Sequence, residues 1–245
     1  FLVRTTIGTY ILTLYEKRVD PNDLPFFLGL MSHLSASGLS CPTPIKGRDG
    51  VALKELNGRP AAMVTFLEGV WPRRIQPGHC RSLGGAMAAM HLAGSDFEIH
   101  RINALSVDSW RPLLASCDLP SREIYHALYN ELNVELNKLE SDWPTDLPIG
   151  VIHADMFPDN VFFLRESVSG IIDFYFACTD FLVYDLAICL NAWCFESDGA
   201  FNVTKARLMI SSYQNVRPLS EREMAALPVL ARGSAMRFLL TRLYD

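Results

Sequence analysis

The chain has 245 residues, a formal net charge of −5, and a composition of 49% hydrophobic and 20% charged residues. A chain of this size can bury a large core, as one large domain or as two small lobes. The acidic balance excludes the basic surface of a nucleic-acid-binding protein and is typical of a cytoplasmic enzyme.

Strand patterns dominate the first part of the chain. β-rich runs occur at residues 1–6, 10–15, 51–56 and 61–66, with turn signals at Ile7-Gly8-Thr9 and Asn57-Gly58. Apolar residues at helical spacing within residues 21–39 predict one helix that ends at Gly38. We therefore predict a small antiparallel sheet with one helix.

Helical patterns dominate after Gly69. Helices are predicted at residues 79–92, 121–139, 184–195 and 202–214, and from Ser220, which forms an S-x-x-E capping box with Glu223. Pro228 is expected to break or kink that last helix. Short apolar strands are predicted at residues 150–152, 161–164 and 170–172. The predicted fold class is α+β with two lobes, a β-rich lobe at residues 1–67 and a larger, mainly helical lobe at residues 68–245.

The longest apolar stretch, residues 174–195, is predicted to be a buried core segment. Asp180, Asp185 and Asn191 interrupt it, and each Asp would cost about 2.5–3.5 kcal/mol at the centre of a bilayer. We therefore expect no membrane span. The six cysteines form no Cys-x-x-Cys pair, so we expect reduced thiols.

A polar loop between two apolar strands carries the chemistry. It contains His153, Asp155 and Asn160 in the pattern H-x-D-x-x-x-x-N, and Asp173 follows the next strand. Phosphoryl transfer requires a carboxylate that faces the acceptor hydroxyl and oxygen ligands that hold Mg²⁺ against the phosphates of ATP. Asp155 suits the first role, Asn160 and Asp173 suit the second, and the spacing matches the protein-kinase catalytic loop. His153 suits a bracing role, while the alternative for the whole loop is a polar turn held by local hydrogen bonds.

The motifs that the sequence lacks narrow the enzyme class. The chain contains no G-x-x-x-x-G-K-[ST], no G-x-S-x-G and no H-E-x-x-H, which excludes P-loop kinases and the common hydrolases. It also lacks G-x-G-x-x-G, the loop that covers the phosphates in protein kinases. Because Phe1 already lies in a strand pattern, we expect such a glycine-rich loop to precede it.

With this loop in place, the chain resembles the aminoglycoside-phosphotransferase and choline-kinase branch of the protein-kinase-like fold. That branch has a small residue between the His and the Asp, as Ala154 is here, and a small-residue helix before a His, as in residues 84–91. Within the branch, the chain resembles the bacterial homoserine kinases over residues 11–18, 151–163, 171–178, 184–194, 217–221 and 240–245.

This resemblance implies transfer of the γ-phosphoryl group of ATP to the side-chain hydroxyl of L-homoserine, a step of threonine biosynthesis. It implies that Asp155 is the catalytic Asp and that Asn160 and Asp173 hold Mg²⁺. Phe66 and Leu67 would lie at the hinge that contacts adenine. Asp185 would anchor the catalytic loop, and capping near a helix dipole is its alternative role.

The sequence differs from the wider fold at the position of the cation that binds the α- and β-phosphates. That fold places a Lys or Arg on the second strand, paired with a Glu on the next helix. Here Thr13 occupies the strand position, and residues 21–39 contain no Glu. Lys17, just past the strand, is the candidate replacement, and a solvated surface Lys is the alternative.

Homoserine is a zwitterion, so its pocket needs an anion for the ammonium group and a cation for the carboxylate. An Arg suits a carboxylate because its fork donates two parallel hydrogen bonds. The candidates are Arg237 and Arg242 for the carboxylate, and Asp180 and Glu196 for the ammonium group. Internal salt bridges are the alternative role for all four.

Other functions stay open on the residues alone. One is a kinase of the same branch that acts on choline, an aminoglycoside or a sugar-like alcohol. Another is a pseudokinase-like binding module without turnover, which the missing strand Lys favours and the presence of Asp155, Asn160 and Asp173 disfavours. A third is a metal-dependent phosphatase using Asp155 and Asp173. In each case we expect a small-molecule partner, without nucleic acid or membrane.

Overall fold

The structure, a computed structural model, describes residues 1–15, 19–117 and 123–244. Lys17, the candidate phosphate-binding cation, lies outside the described residues.

A four-stranded antiparallel sheet forms the first part of the fold. Its strands are β1 (Leu2–Arg4), β2 (Thr9–Leu14), β3 (Lys54–Leu56) and β4 (Arg59–Thr65), in the order β1-β2-β4-β3. The turn between β3 and β4 has positive φ at Asn57 (52°) and Gly58 (73°), the conformation that a two-residue hairpin turn needs. The small antiparallel sheet predicted from the β-rich runs and their turn signals is confirmed.

Helices make up most of the remaining structure. They are α1 (Leu24–Ala36), α2 (Pro77–Ala93), α3 (Val107–Ser116), α4 (Glu123–Asp142), α5 (Leu182–Trp193), α6 (Val203–Val216) and α7 (Glu221–Tyr244). The apolar face of α1 enters the same core as Val64 of β4 and Leu83 of α2, so the sheet and the helices share one continuous core.

Two short antiparallel ribbons position the polar loops. In one ribbon β5 (Ile149–Ile152) pairs with β8 (Cys178–Phe181), and in the other β6 (Val161–Leu164) pairs with β7 (Ser167–Ile171). Ile152 lies opposite Cys178, and Val161 lies opposite Ile171. Residues 153–160 connect β5 to β6, and residues 172–177 connect β7 to β8. Because β5 pairs with β8 and β6 pairs with β7, both loops begin and end beside each other, and the two polar loops lie in one place.

The last predicted helix is not broken by its proline. Helix α7 continues through Pro228, and its predicted capping box is present, because Glu223 N–H donates to Ser220 Oγ (3.2 Å) and Ser220 N–H donates to Glu223 Oε2 (2.9 Å). Leu227 and Leu230 on either side of the proline are buried in the core. This packing offsets the backbone hydrogen bond that the proline cannot donate.

The sequence patterns missed two elements. Helix α3 contains Pro112, which weakens a helical pattern, and β8 lies inside the continuous apolar stretch at residues 174–195. Most of the rest of that stretch forms α5, where Val183, Leu186 and Ile188 are 0% exposed, so the predicted burial is confirmed. Among the described residues, no helix has both the length and the apolarity that crossing a membrane requires.

Candidate active site

A buried carboxylate holds the loop that follows β5. Asp185, in the first turn of α5, is 0% exposed and accepts hydrogen bonds from the backbone N–H groups of His153 and Ala154, both at 2.8 Å. Ala154 needs this support because its φ of 61° is unfavourable for a residue with a side chain. The same contacts define the start of the loop.

A further layer of hydrogen bonds supports Asp185. His91 of α2 donates from Nε2 to Asp185 (3.2 Å), and its Nδ1 lies 2.7 Å from the hydroxyl of Tyr213 in α6. Burial alone would raise the pKa of Asp185, but the hydrogen bond and charge of His91 lower it below its ordinary value. The carboxylate is therefore ionised and connects three helices to the loop.

His153 is positioned as an internal brace. Its Nε2 donates to the carbonyl oxygen of Ile172 (2.9 Å), and its Nδ1 accepts from the backbone N–H of Asp155 (3.3 Å). Burial lowers the pKa of His153. The ring is therefore neutral, and it ties the loop that follows β5 to the loop that follows β7.

Asp155, Asn160 and Asp173 converge where these two loops meet. Asn160 Nδ2 donates to the backbone oxygen of Asp155 (2.8 Å) and to its Oδ2 (3.1 Å). The pKa of Asp155 is raised to about 6. Burial is the main cause of the rise, the positive charge of Arg237 opposes it, and the negative charge of Asp173 adds to it. Asp173 is exposed and has a left-handed backbone, with φ 63° and ψ 63°.

The donor set of these residues fits a hard divalent cation. The amide nitrogen of Asn160 is used within the loop, which leaves its side-chain oxygen without a partner in the described part of the chain. Oxygen donors of this kind suit Mg²⁺. Residues 1–15, 19–117 and 123–244 contain no group of three or more His, Cys, Asp or Glu side chains arranged for a metal. The candidate metal ligands are the carboxylate of Asp173 and the amide oxygen of Asn160.

A largely apolar cavity of about 290 Å³ lies between the sheet and the loop after β7. Its wall includes Ile11, Thr13, Val64, Phe66, Leu67, Phe162, Asp173 and Tyr175. Phe66 and Leu67, the predicted hinge residues, therefore line the same cavity as Asp173. Thr13 also lines it and offers no positive charge.

Asp173 also lines a second cavity, of about 410 Å³. This cavity is lined by Asp20, Asp23, Phe27, Arg101, Asn103, Asp173, Tyr175, Phe176 and Arg237, among others. Arg237 is 2% exposed, and its Nη1 donates to the backbone oxygen of Ala154 at 2.6 Å. The cation predicted from α7 is therefore at the cavity, and it also holds the catalytic loop.

The other three predicted substrate residues lie elsewhere. Asp180 accepts from Asn103 Nδ2 (2.7 Å) and from the N–H of Phe181, so it supports the wall of the second cavity from behind. Glu196 pairs with Lys205 at 2.7 Å, and the exposed Arg242 donates to the carbonyl oxygen of Phe238. Neither Glu196 nor Arg242 lines either cavity.

Sequence reasoning missed Asp23, Arg101 and Asn103 at the second cavity. Arg101 and Asn103 lie between α2 and α3, where no element was predicted, and Asp23 directly precedes α1. Their only signal in the sequence is that charged and polar residues in loops often belong to binding sites.

Comparisons with known proteins agree on one family. The sequence profile of the phosphotransferase enzyme family matches residues 1–219. The chain is 64% identical over 251 residues to a protein named homoserine kinase from Paramagnetospirillum magneticum, covering 100% of this chain and 77% of that protein. It is 61% identical over 245 residues to a homoserine kinase from Rhodospirillum rubrum, covering 100% of this chain and 76% of the relative.

Solved structures show the same fold at low sequence identity. The amicoumacin kinase hAmiN, in complex with AMP-PNP, Ca²⁺ and Ami, has a TM-score of 0.78 at 14% identity, over 96% of this chain and 75% of that one. The microcompartment-associated aminopropanol kinase has a TM-score of 0.74 at 18% identity, over 99% of this chain and 79% of that one. The predicted two-lobed kinase-like fold class is confirmed.

Proposed function

Because the chain belongs to the phosphotransferase enzyme family, we propose that it transfers the γ-phosphoryl group of ATP to the side-chain hydroxyl of L-homoserine. The observation that carries this proposal is the 61–64% identity, across the whole chain, to proteins named homoserine kinase. The convergence of Asp155, Asn160 and Asp173 supports the same reaction from geometry.

Asp155 is the proposed acceptor base. Its carboxylate, with a pKa of about 6, is ionised at neutral pH and more basic than an ordinary Asp. It accepts a hydrogen bond from the homoserine hydroxyl and orients the oxygen toward the γ-phosphorus. The acceptor oxygen then bonds to phosphorus as the bond to the ADP oxygen breaks, and the hydroxyl proton passes to Asp155.

The remaining residues position the reactants. Asn160 and Asp173 are the proposed holders of Mg²⁺, which when bound would neutralise charge on the β- and γ-phosphates. Phe66 and Leu67 are proposed to contact adenine. Asp185 and His153 keep the loop in its conformation through their hydrogen bonds to its backbone. The lobe boundary at residues 67/68 and the cytoplasmic location stay predictions.

A direct assay tests this function. Purified protein with ATP and Mg²⁺ is expected to phosphorylate L-homoserine in preference to L-serine, L-threonine, choline and an aminoglycoside. Preference for an acceptor without a carboxylate would favour the choline or aminoglycoside alternative. No transfer to any acceptor would favour a binding module.

The variant Asp155→Asn tests the catalytic role. We expect kcat to fall by about 10²–10⁴-fold, because the variant cannot accept the hydroxyl proton. Steady-state kinetics with circular dichroism measures the loss and verifies folding. Asp159→Asn, an exposed carboxylate in the same loop, is the matched control and should retain near wild-type kcat. Unchanged turnover in Asp155→Asn contradicts the assignment.

A further inference from the structure

The second cavity contains an ion pair whose two members, Arg101 and Asp23, each keep one polar atom without a hydrogen-bond partner in the described part of the chain. Arg101 Nε donates to Asp23 Oδ2 at 2.6 Å, and Arg101 Nη1 donates to the backbone oxygen of Ala177 at 3.2 Å. Within the described residues, Arg101 Nη2 and Asp23 Oδ1 have no hydrogen-bond partner. Both residues line the cavity that also contains Asp173.

Several contacts hold this pair rigidly. The guanidinium of Arg101 lies over the ring of Phe27, 5.0 Å from its centroid, and the backbone N–H of Thr179 in β8 donates to the Arg101 carbonyl oxygen at 2.6 Å. The side chains of Arg101 and Asp23 are 21% and 31% exposed. An ion pair held in this way loses little conformational freedom when a ligand binds.

The two unpartnered atoms match an α-amino acid. A guanidinium nitrogen beside a carboxylate oxygen presents a positive and a negative group side by side, which is the complement of an α-carboxylate beside an α-ammonium group. Arg237 is less suited to this role, because it is only 2% exposed and its Nη1 holds the carbonyl oxygen of Ala154 in the catalytic loop, whereas the Arg101 side chain is 21% exposed. Asp20 adds negative charge to the same wall.

We propose that the Arg101–Asp23 pair is the zwitterion-recognition site of the acceptor, with Arg101 binding the α-carboxylate and Asp23 binding the α-ammonium group. This inference rests on the proposed function, since it identifies the acceptor end of the same site. The amino-acid head binds at the pair, and the side-chain hydroxyl extends toward Asp155 and Asp173. Arg101 and Asp23 thus determine specificity and take no part in proton transfer.

Two analogues separate the two charges. Propanolamine is homoserine without the carboxylate, and γ-hydroxybutyrate is homoserine without the ammonium group. The affinities of both analogues are measured by calorimetry in the wild-type protein and in the variants Arg101→Met and Asp23→Asn. The KM values for homoserine and ATP are measured in the same three proteins. Arg111→Met is the matched control, because Arg111 makes a similar fork to Glu140, at 2.9 and 2.7 Å, away from both cavities.

The expected pattern is a double dissociation. Arg101→Met should weaken the binding of γ-hydroxybutyrate and of homoserine by about 10–100-fold, as expected for a lost charge-assisted hydrogen bond. The same variant should leave the affinity for propanolamine nearly unchanged. Asp23→Asn should weaken the binding of propanolamine and of homoserine and leave the affinity for γ-hydroxybutyrate nearly unchanged. The KM for ATP should stay constant in both variants, and Arg111→Met should match the wild type.

Two results would overturn the inference. Equal losses for both analogues in both variants would mean that the pair only supports the fold, and a raised KM for ATP would place Arg101 at the phosphates. Wild-type turnover of homoserine decides the proposed function separately. The analogue affinities are measured without turnover. The expected affinity pattern can therefore be absent in a protein that phosphorylates homoserine, or present in one that does not.

Discussion

At the scale of single residues, Asp155 has a charge that suits the chemistry and opposes folding. Burial raises its pKa to about 6 from an ordinary 3.8. Between these values the folded protein holds a proton that the unfolded chain releases, so stability falls as the pH rises through this window. The difference between the two pKa values corresponds to roughly 2–3 kcal/mol once the carboxyl is ionised.

Asp155→Asn is therefore expected to unfold at a temperature equal to or higher than the wild type at neutral pH, although it loses activity. The advantage should shrink as the pH falls below about 6, where the native carboxyl becomes protonated. Thermal unfolding across this pH range measures the difference, and Asp159→Asn serves as the exposed control. If Asp155→Asn is less stable at every pH, the ionised carboxylate stabilises the fold, and the expected direction of the effect is wrong.

At the scale of elements, the contact between α2 and α6 depends on a glycine. A Cβ built at Gly84 would lie 2.1 Å from the backbone oxygen of Met209, so the two helices can approach closely only without a side chain there. At the neighbouring Gly85, a Cβ would meet only the side-chain oxygen of Ser212, at 3.2 Å. The close approach also brings His91 of α2 to Tyr213 of α6, behind the catalytic loop.

Gly84→Ala is expected to destabilise the protein by about 1–3 kcal/mol, because the helices must separate, even though Ala favours a helix over Gly by about 1 kcal/mol. Chemical denaturation measures the change in the free energy of unfolding. Gly85→Ala is the matched control, since its neighbour can rotate away, and it should be neutral or slightly stabilising. Similar effects in both variants would show that the helices leave room for a methyl group at Gly84.

The elements also show what a sequence can and cannot predict. The sheet, α1 and the capping box of α7 follow from local periodicity and turn chemistry, which act over a few residues. Strand β8 does not, because it continues into the apolar pattern of α5 without a polar boundary. The catalytic loop was predictable because its spacing is local. The Arg101–Asp23 pair was not, because its members are 78 residues apart and only the tertiary fold brings them together.

At the scale of the whole molecule, Asp173 lies where both cavities meet. The first cavity has walls from β2, β4 and residues 172–175, and the second has walls from residues 19–27, 101–105 and α7. A nucleotide in the first cavity would contact the sheet and the loop after β7 at once. Such a ligand stabilises the folded state by mass action, by about 2.7 kcal/mol at a concentration one hundred times its Kd.

A non-hydrolysable ATP analogue with Mg²⁺ is accordingly expected to raise the wild-type Tm by about 5–10 °C, and chelation of Mg²⁺ should remove most of that rise. In Asp173→Asn the analogue should give the same smaller rise with and without Mg²⁺, because a carboxylate ligand is lost. The variant should fold normally, since Asn tolerates the left-handed backbone at this position, with φ 63°. Differential scanning fluorimetry measures these shifts, and Asp198→Asn, at an exposed turn, is the control that should behave as the wild type. A Mg²⁺-dependent rise that persists in Asp173→Asn would place the cation on other ligands and remove Asp173 from the proposed site.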